Sequence, residues 1–422
     1  MHKRLIGVLL TLFLSFSLSL GSGFSIYEQG AKSMAMAGAF VAQANDVTAI
    51  FYNPAGITSL HGWNVALGGT IIQPQAQFIG PTVKDPNLLN KAKKETFVPP
   101  HFYASYQLNE KVSFGLSVFA PFGLASDWGK DWPGKYLATR SSVQAIFINP
   151  VIAYRIMENL SLAVGFEYAI ADVDLQKMVN YPVRNIDLYS TLKASTTGMG
   201  FNLGLQFKPV EGLSIGAAFR SNVLLKFKEG DAKFDYPSID PNDPQQQLIL
   251  AELKALFPNT KGDADLKLPT FTAVGVSYDF TDKLTAEFDY FVIGWSSYDV
   301  LKVKFKDPVG GKKETISERK YENSASYRLG LEYRLNEQLA LRAGYMRDNH
   351  AVPDERVEPS LPEGDRNIYN IGFGYKIGHI NVDFAYMLLL QDDREITQSV
   401  DNFNGKYESL ANLFGITLGY SF

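Results

Sequence analysis

The sequence predicts an all-β protein: a 14-stranded antiparallel transmembrane β-barrel whose lumen is plugged by short helices of its own N-terminal segment. Three observations predict it. Apolar residues alternate with small or polar ones at period two over long stretches, which puts each set on one face of a strand. Short turns alternate with long polar connections, the signature of a barrel with one tight rim and one elaborate rim. After Leu20 no segment offers the roughly 18 consecutive apolar residues of a helical span, so strands must do any crossing.

The chain opens with a leader, residues 1–21. Met1-His2-Lys3-Arg4 is basic, Leu5 to Leu20 is an apolar run of 16 residues, and small residues at Ser19 and Gly21 suggest cleavage after Gly21. The run is shorter than the roughly 20 residues that anchor a chain in a bilayer, so the protein is expected to leave the cytoplasm.

Residues 22–61 do not read as wall. Ala31-Lys32-Ser33-Met34-Ala35-Met36-Ala37-Gly38-Ala39 is small and helix-permissive, and Asn53-Pro54-Ala55-Gly56 is a turn. A loose periplasmic tail is one reading. Phe24, Ile26, Tyr27, Phe40, Ile50, Phe51 and Tyr52 favour the other, because apolar side chains need burial and the lumen is the nearest place for it.

The wall occupies residues 62–422. Leu160, Leu162, Val164, Phe166, Tyr168 and Ile170 oppose Ser161, Ala163, Gly165, Glu167 and Ala169. Leu284 to Val292, Ile380 to Leu388 and Leu410 to Phe422 repeat the alternation, with Asp289, Asp383 and Gly415 among the inward set. Short turns are expected at 109–110, 157–159, 209–212, 281–282, 336–337 and 378–379. Long connections are expected near 80–96, 125–138, 175–194, 230–265, 300–318, 347–366 and 391–406. Together they give fourteen strands, apolar outward, closed so that no strand edge meets hydrocarbon.

Composition excludes several classes. Forty basic against 44 acidic side chains leave −4, with no basic patch for nucleic acid. The absence of cysteine removes disulfides, thiolate nucleophiles and Cys-based zinc sites. The five histidines show no metal-ligand spacing, and hydrolase, zincin and phosphate-loop motifs are missing. Asp348, His350 and Asp354 sit close together, but loop polarity accounts for them. No enzyme, cofactor or metal is expected.

Taken in order, Ser22-Gly23-Phe24, the run from Met34 to Gly38, Asn45-Asp46, Asn53-Pro54-Ala55, Phe122-Gly123-Leu124-Ala125, Trp132-Pro133-Gly134-Lys135-Tyr136, Trp295-Ser296, Val352-Pro353 and Asp365-Arg366 form a specific series. It resembles the outer-membrane long-chain fatty acid transporter family, FadL-type, whose other branch is the aromatic-hydrocarbon porins. The resemblance implies a 14-stranded barrel with an N-terminal hatch (here Ser22, Gly23, Phe24, Asn53, Pro54 and Ala55) in the outer membrane of a double-membraned bacterium. It implies passive uptake of a hydrophobic small molecule, most simply a long-chain fatty acid, by a monomer surrounded by outer-membrane lipids. Uptake of neutral aromatic hydrocarbons is the alternative, and a general diffusion porin is a third reading. Fourteen strands, a plug and inward Met387, Phe291 and Ile293 argue against that third reading.

The family pattern places two carboxylate-binding cations at Lys177 and Arg319. Lys177 shares parity with inward Gly165 and Glu167, whereas Arg319 shares parity with outward Tyr327 and needs a bulge or loop to face the lumen. The family's lateral opening falls on Pro121-Phe122-Gly123 of the third strand, where a proline cannot donate a ladder bond. In the connection 230–265, Asp243 as N-cap and Pro244 at the first position start a helix. Its apolar residues Ile249, Leu250, Leu253, Leu256 and Phe257 either pack on the rim or, as the resemblance implies, form an outer capture site.

Overall fold

Fourteen wall strands run up and down in sequence order in the computed structural model, which describes residues 23–81 and 89–422. The leader 1–21 and hatch residue Ser22 lie outside the described residues. The strands are β1 (Trp63–Ile79), β2 (Pro100–Gln107), β3 (Val112–Asp127), β4 (Arg140–Met157), β5 (Leu160–Tyr181), β6 (Ile186–Val210), and β7 (Leu213–Arg220, continued by Val223–Asp235). They continue with β8 (Thr260–Leu268, then Phe271–Asp279), β9 (Leu284–Ile293, resumed at Val300–Val309), β10 (Lys312–Glu318, resumed at Ser324–Arg334), β11 (Leu339–Asp348), β12 (Arg366–Ile377), β13 (Ile380–Gln391) and β14 (Gly405–Ser421). Each pairs antiparallel with the next. β14 closes on β1 from Asn64 opposite Ser421 to Ile79 opposite Lys406. The closed fourteen-strand wall agrees with the fold class expected from the sequence.

All six short turns fall where expected, and the alternation divides the side chains as read. Val164, Phe166, Ile371, Phe373, Ile416 and Leu418 are exposed on the outer surface, while Glu167, Ala169, Ala385, Met387, Phe291 and Ile293 are buried inside. Among the described residues no helix is long and apolar enough to cross a membrane.

Two of the long connections are not loops. The stretch 175–194 continues the β5–β6 ladder, with Lys177 opposite Ser190 and Tyr181 opposite Ile186 around a turn at 182–185. The stretch 300–318 is likewise the β9–β10 hairpin, Val300 opposite Glu318. A strand needs only about 9–11 residues to cross, so these ladders rise well above the hydrocarbon. There the outward positions become polar while the backbone pairing continues, and polarity was taken for loop. On this raised sheet lies α3 (Pro244–Leu256), capped as expected: Asp243 accepts from the amides of Gln245 (2.9 Å) and Gln246 (3.2 Å).

The N-terminal segment fills the lumen with α1 (Ala31–Ala35), α2 (Ala49–Tyr52) and a 3-10 turn at Pro54–Ser59. Nearly every side chain from Phe24 to Thr58 is buried or half-buried. Inward glycines let the wall approach its backbone. A Cβ on Gly216 of β7 would lie 2.0 Å from the Val41 carbonyl oxygen, and one on Gly344 of β11 would lie 2.4 Å from the Met36 carbonyl carbon.

Candidate functional site

The site is built where hatch, wall and mouth meet. On β9, Glu287 and Asp289 point inward at alternate positions and receive four consecutive hatch amides. Phe40 and Val41 donate to Asp289 Oδ2 (2.8 and 3.0 Å), and Ala42 and Gln43 to the two oxygens of Glu287 (2.7 and 2.9 Å). Asn53 adds a second tie: its Nδ2 donates to Val41 O (2.7 Å) and to Leu205 O of β6 (2.8 Å), and its Oδ1 accepts from the Ala55 amide at 3.2 Å. Gly204 makes room for it, because a Cβ there would sit 2.5 Å from Asn53 Oδ1. Inward acids on β9 were legible from parity, but their hatch partners were not.

The third strand is irregular at Pro121. Ala120 and Pro121 fall in a register break against β4, between Phe119 opposite Phe147 and Phe122 opposite Ala145. On its other side the pairing with β2 ends at Phe102 opposite Val118, where β2 itself starts at the Pro99-Pro100 pair. The freed groups of β3 turn to the hatch. Ile26 N donates to Pro121 O (2.8 Å), Gln29 Nε2 to Ala120 O (2.8 Å), and Gly123 N to Phe24 O (3.1 Å). Phe24 packs on Trp295, ring centroids 4.6 Å apart, and Phe122 completes the aromatic patch. Trp295 heads a 3-10 turn that interrupts β9.

At the mouth, Arg319 lies where residues 319–323 leave the β10 ladder and the amides of Arg319 and Lys320 both donate to Asp299 O (2.7 and 2.9 Å). That loop position turns it inward, where it pairs with Glu358 and lies 5.9 Å from the Tyr298 ring. Burial opposes its charge, but the Glu358 carboxylate lifts its pKa above the usual arginine value. Lys177 is exposed on the raised part of β5 and makes no ion pair among the described residues. Asp401 links the two. Burial and Glu358 push its carboxyl up, while Arg319, Lys177 and Arg356 pull it down, so all three cations act on one carboxylate. Of the helix residues, Leu253 and Phe257 are buried against Tyr181, Leu188 and Phe234, while Ile249, Leu250 and Leu256 remain partly open. The reading of Asp348 as loop polarity needs correcting: it is buried at the end of β11, 3.8 Å from Arg366.

Two cavities bracket the hatch. An outer one of about 480 Å³, a size typical of small-molecule sites, is lined by Lys93, Asp127, Trp128, Lys130, Thr139 and Tyr189. Behind its wall Trp128 stacks on Trp132 at 4.6 Å, and Phe78 and Phe403 pack beneath them in the core. The inner cavity, lined by Tyr27, Phe51, Arg220, Phe271 and Phe291 among others, is only about 20 Å³, room for one water.

A barrel with a lipid-facing wall, a self-plugged lumen, an outer cavity and a break in one strand has the build of an outer-membrane transport protein. The family model described as "Outer membrane protein transport protein (OMPP1/FadL/TodX)" matches residues 13–422, and the chain belongs to this family of transport channels for hydrophobic compounds. It is 25% identical over 435 residues to outer membrane protein P1 of Haemophilus influenzae, covering 90% of each. It is 24% identical over 415 residues to a long-chain fatty acid transport protein of Escherichia coli, covering 90% of this chain and 89% of that one. The fold matches the crystal structure of a Pseudomonas aeruginosa FadL homologue with a TM-score of 0.82 at 20% identity, covering 95% of this chain and all of the other.

Proposed function

We propose that this protein takes up long-chain fatty acids by diffusion through the outer membrane. The acid is captured in the outer cavity, against Trp128 and Tyr189, and beside the open face of α3. Its carboxylate is then held at Arg319 and Lys177, and it leaves sideways at the Pro121 break once the hatch shifts. The observation that carries this reading is Arg319: a mostly buried guanidinium at the mouth, paired with the loop carboxylate of Glu358 and acting on Asp401. A ligand carboxylate is chemically equivalent to that partner and can take its place, while Lys177 adds a second positive charge around Asp401. A neutral hydrocarbon gains nothing from either cation.

The test is Lys177→Met with Arg319→Met, which keeps the apolar stems. A hydrogen bond to a charged group contributes roughly 1.5–3 kcal/mol, so oleate affinity in detergent should fall about tenfold or more. The affinity for an alkylbenzene should hold or rise. Equal losses for both ligands, or no loss for oleate, would defeat the carboxylate assignment and favour neutral aromatic hydrocarbons.

A further inference from the structure

The wall has a second interruption, between β6 and β7. Below it Asn202 stands opposite Arg220, above it Lys193 stands opposite Asp231, and no ladder pair joins the strands between. The cause is length: from one pair to the other β6 advances 202 − 193 = 9 residues and β7 advances 231 − 220 = 11. Strands that differ by two residues over one interval cannot keep one register across it. Side chains stand in for part of the ladder. Phe201 N donates to Ser221 Oγ (2.9 Å), and Thr196 Oγ1 donates to Lys226 O (2.8 Å). Packing closes the rest. Gly198 and Gly200 share the inward parity of Asn202, and Val223 fills the space their missing side chains leave. A Cβ on Gly198 would lie 2.6 Å from Val223 Cγ1, and one on Gly200 would lie 2.9 Å from Val223 Cγ2.

This seam is apolar on both faces. Met199, Phe201 and Leu224 are exposed outward, and Val223, Leu225 and Phe227 are buried inward. Met199 is the last apolar outward residue of β6 before Thr197, Ser195 and Lys193, so the seam starts within the outer leaflet and ends above it. It also shares a row of the sheet with the break at Pro121: Gly198 stands opposite Ala169, Ala169 opposite Phe147, and Phe147 opposite Phe119. Neighbouring strands lie about 4.8 Å apart, so roughly 15–20 Å separates the seam from that break. Between them the inner face of β4 and β5 carries buried Ala145, Phe147, Ala169 and Ala171. On its other side the seam borders a jointed sheet. Residues 221–222, 269–270, 294–299 and 319–323 interrupt β7, β8, β9 and β10 in one row. Above that row the ladder to β6 runs only from Tyr189 opposite Asp235 to Lys193 opposite Asp231, and the far margin, Lys312–Glu318, pairs only with β9.

We infer that the β6–β7 seam is a lateral entrance, through which an apolar ligand dissolved in the outer leaflet slips past Val223 into the lumen. A hydrophobic compound concentrates in lipid rather than in water, so an entrance on the lipid side meets it where it is most abundant. Parting the strands at Gly198 breaks no ladder pair. It displaces the packing of Val223 and Leu225, which the entering chain replaces in kind, and it tilts the raised sheet about the interrupted row. The ligand then stands one sheet row from the Pro121 break. This entrance goes beyond capture at the mouth and does not rest on the carboxylate reading, because the four residues that close it carry no charge.

The chain has no cysteine, so Gly198→Cys with Val223→Cys makes a lock that can be set and released. The Gly198 Cβ lies beside the place a sulfur on residue 223 would take, within disulfide reach. Uptake of oleate and of an alkylbenzene by host cells is measured at limiting ligand with the pair oxidised and then reduced, and in Val223→Ala. Folding is checked by the compact gel migration of an unheated barrel. Oxidation should slow both ligands severalfold and reduction should restore both, while Val223→Ala, which thins the stopper, should leave them level or faster. Affinities in detergent should not change on locking. A long-chain alkyl diazirine dissolved in the membrane should label Leu225 in the reduced pair and much less in the oxidised one. Equal uptake in the two states, or labelling that ignores the lock, would overturn the entrance. Failure of the pair to oxidise would overturn the packing it rests on. Slowing by both the lock and Val223→Ala would make the seam a structural joint, and slowing of oleate alone would mean that it reads a headgroup; either result overturns entry from lipid. Because both ligands report on the seam, loss of the fatty acid reading in the Lys177 and Arg319 test leaves this outcome intact.

Discussion

Asp365, just before β12, shows how much one side chain fixes at the outer rim. It accepts the His350 amide (2.8 Å) and meets His350 Nδ1 (2.7 Å) and Arg347 Nη2 (2.8 Å). Burial alone would raise its carboxyl, but those hydrogen bonds and the charges of His350 and Arg347 more than offset that and hold it at about 2. The folded value lies below the ordinary one near ~3.9, so this clamp is fully present above about pH 4 and is lost as pH falls through about 2. Pepsin should therefore begin to cut within 349–365 only as the pH drops across that window, and Asp365→Asn should expose the same sites already at its upper end. Asp365-Arg366 was visible in the sequence as a family-like pair, but its partners His350 and Arg347 were not, because spacing says nothing about which loop residues fold back.

Among the elements, those whose cause is local were the legible ones. The helix capped by Asp243 and Pro244 and the six tight turns depend on neighbouring residues, and period two carries the strand faces. The raised ladders of β5–β6 and β9–β10 were missed because their outward residues face water, so the apolar half of the pattern disappears while the pairing persists. The third strand lies between these cases. Pro121 announced a failed ladder bond, but the end of the β2 pairing at Val118 and the takeover by Phe24, Ile26 and Gln29 involve partners scattered along the chain. If this break is the exit, Pro121→Val should restore a donor, tighten the strand and slow uptake of a hydrophobic ligand severalfold. Binding of the same ligand to purified protein should be spared, because capture lies upstream. Unimpaired uptake at normal expression would remove the exit from this strand.

At the scale of the molecule, the hatch is held in the barrel by apolar packing and by many hydrogen bonds, among them the four amides on Glu287 and Asp289. Replacing Glu287 and Asp289 by Gln and Asn together keeps the size and removes carboxylate acceptors, since Glu287 uses both oxygens and one would become an NH2 facing an amide. With buried hydrogen bonds worth roughly 0.5–1.5 kcal/mol each, hydrogen exchange at the Phe40–Gln43 amides should accelerate severalfold or more while the β5–β6 ladder stays protected. Equal acceleration in both would mean that the wall, not the hatch, had been loosened. Strand number and closure were readable because a membrane imposes one pattern on the whole wall. The interior was not, because in the lumen water, hatch and ligand make different demands on adjacent side chains.

The same latch sets an order of events during biogenesis. Phe40 and Val41 bond a carboxylate 249 and 248 residues further along the chain, and Ala42 and Gln43 one 245 and 244 residues further. Contacts that close so long a stretch of chain form late. The hatch is thus delivered to the periplasm well before the strand that will hold it, and it joins β1 at the short-turn rim, which faces the periplasm. Until β9 arrives, Phe40, Ile50, Phe51 and Tyr52 have no lumen to enter. The barrel assembles around, or receives from below, a segment it cannot yet grip, so weakening Glu287 and Asp289 should slow maturation to the compact barrel before it alters traffic through the finished wall.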